Sequence, residues 1–143
     1  MNQNVELLEF IYQNTQMGLL TIPRILEKTT DEELKTLLNA QLKEYEEINA
    51  CAKEYLLTED TKPKSVSEMA KMSSTMMTQM KTMMDSSPSN IAEMMIDGNT
   101  MGVIEIIKKI HKYKDLAKPE YIKLAEKLQK TEEANVSQMK AFL

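Results

Sequence analysis

Three carboxylates, Glu44, Glu47 and Asp97, are the residues of this chain whose type would suit a cation site. Carboxylate oxygens are hard ligands, matched to hard cations. The plainer reading stands beside this one: Glu44 and Glu47 are solvated carboxylates on a helix, and no metal is expected. Other chemistry is thinly supplied. His111 is the single histidine and falls near a predicted helix end. Cys51 lies inside a helical run, where a thiol acts as a small apolar residue. No Ser/His/Asp or Cys/His arrangement shares a location, and no glycine-rich phosphate loop is present. The chain is therefore expected to be no enzyme and to carry no cofactor.

Methionine is the second unusual feature. Ten of the 13 methionines lie between Met69 and Met101. Met69, Met72, Met76, Met80 and Met83 recur every three or four residues, Met77 and Met84 widen the stripe, and Lys71, Ser74, Thr78, Lys81 and Asp85 take the other side. Three readings are open. Flexible thioethers could fill an irregular groove of the protein's own core. They could form an adaptable surface for an apolar ligand or a protein partner. They could bind a soft metal, since thioethers suit Cu(I).

The elements that must position these residues are helices. Gly and Pro number only 3 and 4, too few for a turn-rich β protein, and Leu, Met, Lys, Glu and Ala dominate. Straight side chains lose little freedom in a helix. The formal net charge of −4 argues against general affinity for nucleic acid. Lys108, Lys109, Lys112 and Lys114 read as a solvated helix end. No stretch approaches the about 20 apolar residues of a membrane span, and the N-terminus has no signal-peptide pattern, so a cytoplasmic protein is expected.

Apolar periodicity sets helix 1 over 4–27, with Pro23 expected to kink it. Helix 2 opens on Thr30-Asp31-Glu32-Glu33, read as a capping box between Thr30 and Glu33, and ends near Leu57. The Met-rich helix covers 65–85, capped by Ser65 and Glu68. Pro88 and Pro119 fall in the first turns of two further helices, the first running to about Tyr113 and the second to the C-terminus. The expected single domain is a hairpin over 4–57, a crossover helix over 65–85 and a hairpin over 88–143. A link long enough to traverse the bundle makes helices 2 and 4 parallel, giving up-down-down-up order.

The two hairpins look duplicated. Gln13-Asn14-Thr15-Gln16-Met17-Gly18 aligns with Asp97-Gly98-Asn99-Thr100-Met101-Gly102, while Leu37, Lys43, Glu46, Lys53 and Leu56 align with Leu124, Lys130, Glu133, Lys140 and Leu143. Gly18 and Gly102 are then expected at close helix packing, where helices 1 and 4 meet. Each costs about 1 kcal/mol of helix propensity against Ala. Thr15, Gln41, Tyr45, Thr131 and Asn135 are expected to form a hydrogen-bonded polar layer across the bundle, and Tyr12, Tyr45 and Tyr55 are candidates for packing or partner contact.

This all-α layout, with the Gln13–Gly18 and Asp97–Gly102 segments, resembles the ferritin-like superfamily. It is similar, more narrowly, to small spore-coat-related ferritin-like proteins. The resemblance implies Glu-x-x-His on the second helix of each pair, and this chain departs from it. Neither Glu44-Tyr45-Glu46-Glu47 nor Thr131-Glu132-Glu133-Ala134 holds a histidine. A di-iron centre is not expected. The implied role is a non-catalytic structural or interaction protein, spore-associated and self-associating as a dimer. The alternatives are a divergent metal-binding or redox protein and an apolar-ligand or partner-helix binder using the Met stripe.

Overall fold

A computed structural model of the protein describes residues 2–64 and 85–143. The expected crossover helix and its methionines Met69, Met72, Met76, Met80 and Met83 lie outside the described residues. Within them the chain is helical: α1 (Gln3–Lys28), α2 (Glu32–Thr58), α3 (Pro88–Tyr113) and α4 (Pro119–Met139), closed by a 3-10 turn at Lys140–Phe142. No described helix is long and apolar enough to cross a membrane.

Each helix starts for a local reason. The Asn2 side chain accepts from the Asn4 amide at 2.7 Å. At α2 the cap is Asp31, accepting from the Leu34 amide at 2.8 Å. This replaces the expected Thr30–Glu33 box, because a carboxylate one residue nearer the first turn is the stronger acceptor for an N-terminal N–H. Ser87 caps α3 ahead of Pro88, whose missing N–H costs nothing at a first helical position. Thr61 N–H bonds the Leu56 carbonyl and Asp60 N–H the Leu57 carbonyl, the reciprocal pair that ends a helix through a left-handed residue. Asp60 takes that conformation, at φ 55.

Side-chain contacts give the helix directions. Asn49 on α2 reaches Tyr12, Thr15 and Gln16 on α1, while Gly18 meets Tyr45. Residue numbers rise on one helix as they fall on the other, so α1 and α2 are antiparallel. Tyr113 donates to Glu6, Lys109 lies over the Phe10 ring, and Gly102 lies beside Asn14, so α1 and α3 are antiparallel too. Tyr55 packs on Tyr121 with ring centroids 4.8 Å apart, and Gln41 meets Gln138 at the other end, so α2 opposes α4. It follows that α2 and α3 run the same way. Lys64, ion-paired with Glu9, and Asp85, bonded to Ser87 and Asn90, therefore lie at opposite ends of the bundle.

The most extensive packing lies within the hairpins α1–α2 and α3–α4. The two bury the same register. Leu7, Leu8, Ile11, Thr15 and Ile22 are buried in α1, as are Ile91, Ala92, Met95, Asn99 and Ile106 at the aligned positions of α3. Leu34, Leu38, Gln41, Tyr45, Ile48 and Ala52 in α2 find Tyr121, Ala125, Leu128, Glu132, Asn135 and Met139 in α4, also buried.

Candidate functional site: a buried polar centre

In each hairpin a glycine on the first helix makes room for a large polar residue on the second. A Cβ on Gly18 would stand 2.6 Å from Tyr45 Cδ2, so the bare helix backbone is what the phenol ring packs on. A Cβ on Gly102 would stand 3.2 Å from Glu132 Oε1 and 3.1 Å from Asn14 Nδ2. The expected close packing at Gly18 and Gly102 is thus present, with a corrected partner for Gly18: it admits α2 rather than α3. The reason is the length of the tyrosine side chain, which must cross the hairpin interface to reach the bundle axis.

There Tyr45 meets Glu132. The phenol oxygen lies 2.9 Å from Glu132 Oε2, 3.1 Å from Asn99 Oδ1 and 3.1 Å from Asn135 Nδ2, which donates to it. All four residues are buried, Glu132 at 2% exposure. That exposure matters, because an ionised carboxylate out of water needs a partner charge or several donors. Burial pushes the Glu132 carboxyl up to about 8, against the opposing pull of the Tyr45 hydrogen bond. Burial, followed by the neighbouring Glu132, holds the Tyr45 phenol well above its usual value.

One turn away, Thr15 donates to its own helix at the Ile11 and Tyr12 carbonyls and accepts from Asn49 Nδ2 at 3.1 Å. Gln41 and Thr131 are buried as well. The residues of the expected polar layer, Thr15, Gln41, Tyr45, Thr131 and Asn135, are therefore all inside the bundle, but Gln41 Oε1 has no hydrogen-bond partner among the described residues, so they do not close into one bonded layer. The strongest members of the centre, Glu132 and Asn99, are not among them. A signal for Glu132 existed: the α2–α4 alignment sets it opposite Tyr45, and it continues the helical stripe of Leu128, Asn135 and Met139.

The carboxylates that looked most suited to a cation do not assemble. Glu44, Glu47 and Asp97 are all exposed, and among the described residues no group of three or more His, Cys, Asp and Glu side chains is placed to hold a metal ion. Glu44 and Glu47 flank Tyr45 on α2; with Tyr45 facing the axis, the 100° step of the helix turns them outward. His111 is exposed near the end of α3. Cys51 is half-buried against the core. Of the basic cluster, Lys108, Lys112 and Lys114 are exposed, while Lys109 covers Phe10. Tyr45 is a core residue; Tyr12 and Tyr55 are half-buried against that core.

The centre can be tested against the ligand set that a ferritin-like bundle implies, a carboxylate from each first helix and Glu-x-x-His from each second. The first helices present Thr15 and Asn99. On α2 the register holds Tyr45 and Ile48; on α4 it holds Glu132 and Asn135. One carboxylate, no imidazole and a filled phenol ring do not fit two metal ions. No family model, no curated protein and no solved structure matches this chain.

Proposed function

We propose that this chain is a non-catalytic structural or interaction protein on a ferritin-like, up-down-down-up bundle that has no di-metal centre. The observation that carries the reading is the Tyr45–Glu132–Asn99–Asn135 cluster. It stands where such a bundle gathers its ligands, and its groups are already engaged with one another. A buried, mutually bonded polar cluster fixes helix register, which is a structural task. The antiparallel hairpins and their shared buried register support the ferritin-like layout and an internal duplication.

Self-association and spore association belong to the same proposal. Met101 and Ile104 are large, exposed and one helical turn apart on α3, at 68% and 49% exposure, which suits a contact with another chain. The test is metal analysis of the purified protein with Fe, Mn, Zn and Cu titrations, paired with fractionation of heated spores. The expected result is no stoichiometric metal and recovery of the protein with the spores. Stoichiometric binding of any of these metals would sink the non-metal reading, and absence from spores would sink the coat association.

A further inference from the structure

The hydrogen-bond geometry around Tyr45 Oη constrains where a proton sits. A phenol has one proton to give and two lone pairs. Three groups contact it here: Asn135 Nδ2, a donor; Asn99 Oδ1, an acceptor; and Glu132 Oε2. If Glu132 is ionised, two acceptors compete for the one phenol proton. One of them is then left as a bare oxygen–oxygen contact near 3 Å in a water-poor interior, an unfavourable arrangement. If Glu132 carries a proton, every contact is served: Glu132 donates to Tyr45, Tyr45 donates to Asn99, and Asn135 fills the remaining lone pair.

Asn99 completes the argument. Its Nδ2 is buried and has no hydrogen-bond partner among the described residues. A half-turn of the amide would point that nitrogen at Tyr45 Oη. Tyr45 would then accept from both Asn99 and Asn135 and donate to an ionised Glu132. The two protonation states of Glu132 therefore call for opposite orientations of one amide.

We propose that the centre of the bundle is a proton-binding site, in which Glu132 is held as the neutral acid and loss of its proton turns over the Asn99 amide. Neighbours on every packed element agree with this. Among the described residues, Asn14 of α1 and Asn99 and Gly102 of α3 do not titrate, and Tyr45 of α2 is the titratable group in contact. The charged groups near this level, Glu44, Asp97, Glu105, Lys127, Lys130 and Glu133, are exposed. No cation stands against Glu132 among the described residues, and burial is what raises it.

The direction of the pH effect follows from linkage. In the unfolded chain the carboxyl releases its proton near 4.5, and in the bundle near 8. Between those values the folded state holds the extra proton, so this stabilisation is full below the lower value and is lost as pH rises through the higher. The folding constant should fall by up to about tenfold per pH unit in that window.

The test uses infrared spectroscopy of the intact folded protein with urea unfolding across pH, on wild type and Glu132→Gln. The Gln amide keeps a donor toward Tyr45 but cannot titrate. At pH 6 the wild type should show a protonated-carboxyl C=O band that Glu132→Gln lacks and that disappears as pH passes about 8. The urea midpoint should fall with pH in wild type more steeply than in Glu132→Gln. In side-chain amide NMR the Asn99 resonances should move with the same midpoint. No acid band at pH 6, or identical pH slopes in the two proteins, would overturn the proton site. Asn99 resonances that stay fixed while the band vanishes would overturn the coupled turnover of the amide.

Discussion

The two hairpins share a frame and differ at its centre. α1–α2 sets Gly18 under an aromatic phenol, and α3–α4 sets Gly102 under a carboxyl. Thr15, at the Asn99 position, satisfies its own helix backbone, whereas Asn99 reaches across to Tyr45. Aligned positions thus carry unlike chemistry, and the unlike members bond to each other. A strictly repeated centre would set two phenols or two carboxyls together, and two carboxyls at such range cannot both ionise. The difference between the halves is what lets the centre close.

The comparison breaks most completely at Tyr45. Tyr45→Ala removes a side chain at 2% exposure and leaves Glu132, Asn99 and Asn135 without their common partner. The expected loss is about 4 kcal/mol of folding free energy, the cavity term of a large aromatic, with the stranded polar groups adding to it. Urea unfolding followed by circular dichroism measures this. A loss under about 1 kcal/mol, the scale of a surface change, would mean that Tyr45 is no keystone.

The glycines sharpen the comparison. Gly18→Ala drives a Cβ to 2.6 Å from a ring atom, and the ring is pinned at its far end by hydrogen bonds. Overpacking of about 1–3 kcal/mol, set against the helix-propensity gain of about 1 kcal/mol, leaves a net loss of up to about 2 kcal/mol. Gly102→Ala meets the ends of two side chains at 3.1 and 3.2 Å. Asn14 and Glu132 can yield by a few tenths of an ångström, so the same propensity gain leaves it within about 0.5 kcal/mol of wild type. Equal urea midpoints for the two variants would remove the asymmetry.

Much of the fold was legible because helical periodicity and caps are local. Pro88 and Pro119 fall in the first turns of their helices as expected, and the alignment of α1 with α3 pairs positions that are buried together. The site was legible only in part. Tyr45, Thr15 and Asn135 could be placed inside by their stripe. Glu132 could not on residue type alone, because a carboxyl is read as solvated until something shows that it is protonated. Glu44 and Glu47 misled for the converse reason: they have the right chemistry, on a face turned away from the axis. The capping error at Thr30 is of another kind, since both Thr30 and Asp31 are good caps and a one-residue choice depends on backbone geometry.

The smallest effect contrasts this centre with the bundle end where α1 begins. There the carboxyls are shifted the other way. The Tyr113 hydroxyl bonds Glu6 and holds its carboxyl below the usual range; the Lys118 ammonium, then the Tyr121 hydroxyl, does the same for Glu59. A lowered folded value contributes stability that is present above the ordinary 4.5 and is lost as pH falls through the folded value. The end therefore favours higher pH while the centre favours lower, so the two pull the pH dependence of stability in opposite directions. Tyr113→Phe and Tyr121→Phe remove the two hydroxyls, so both carboxyls move back toward their usual value and the acid limb of the urea midpoint should become shallower. The change should be smaller than the one set by Glu132, whose shift is the large one, and the alkaline limb set by Glu132 should not move. A variant that altered the alkaline limb instead would show that end and centre are coupled, and that the two shifts belong to one network.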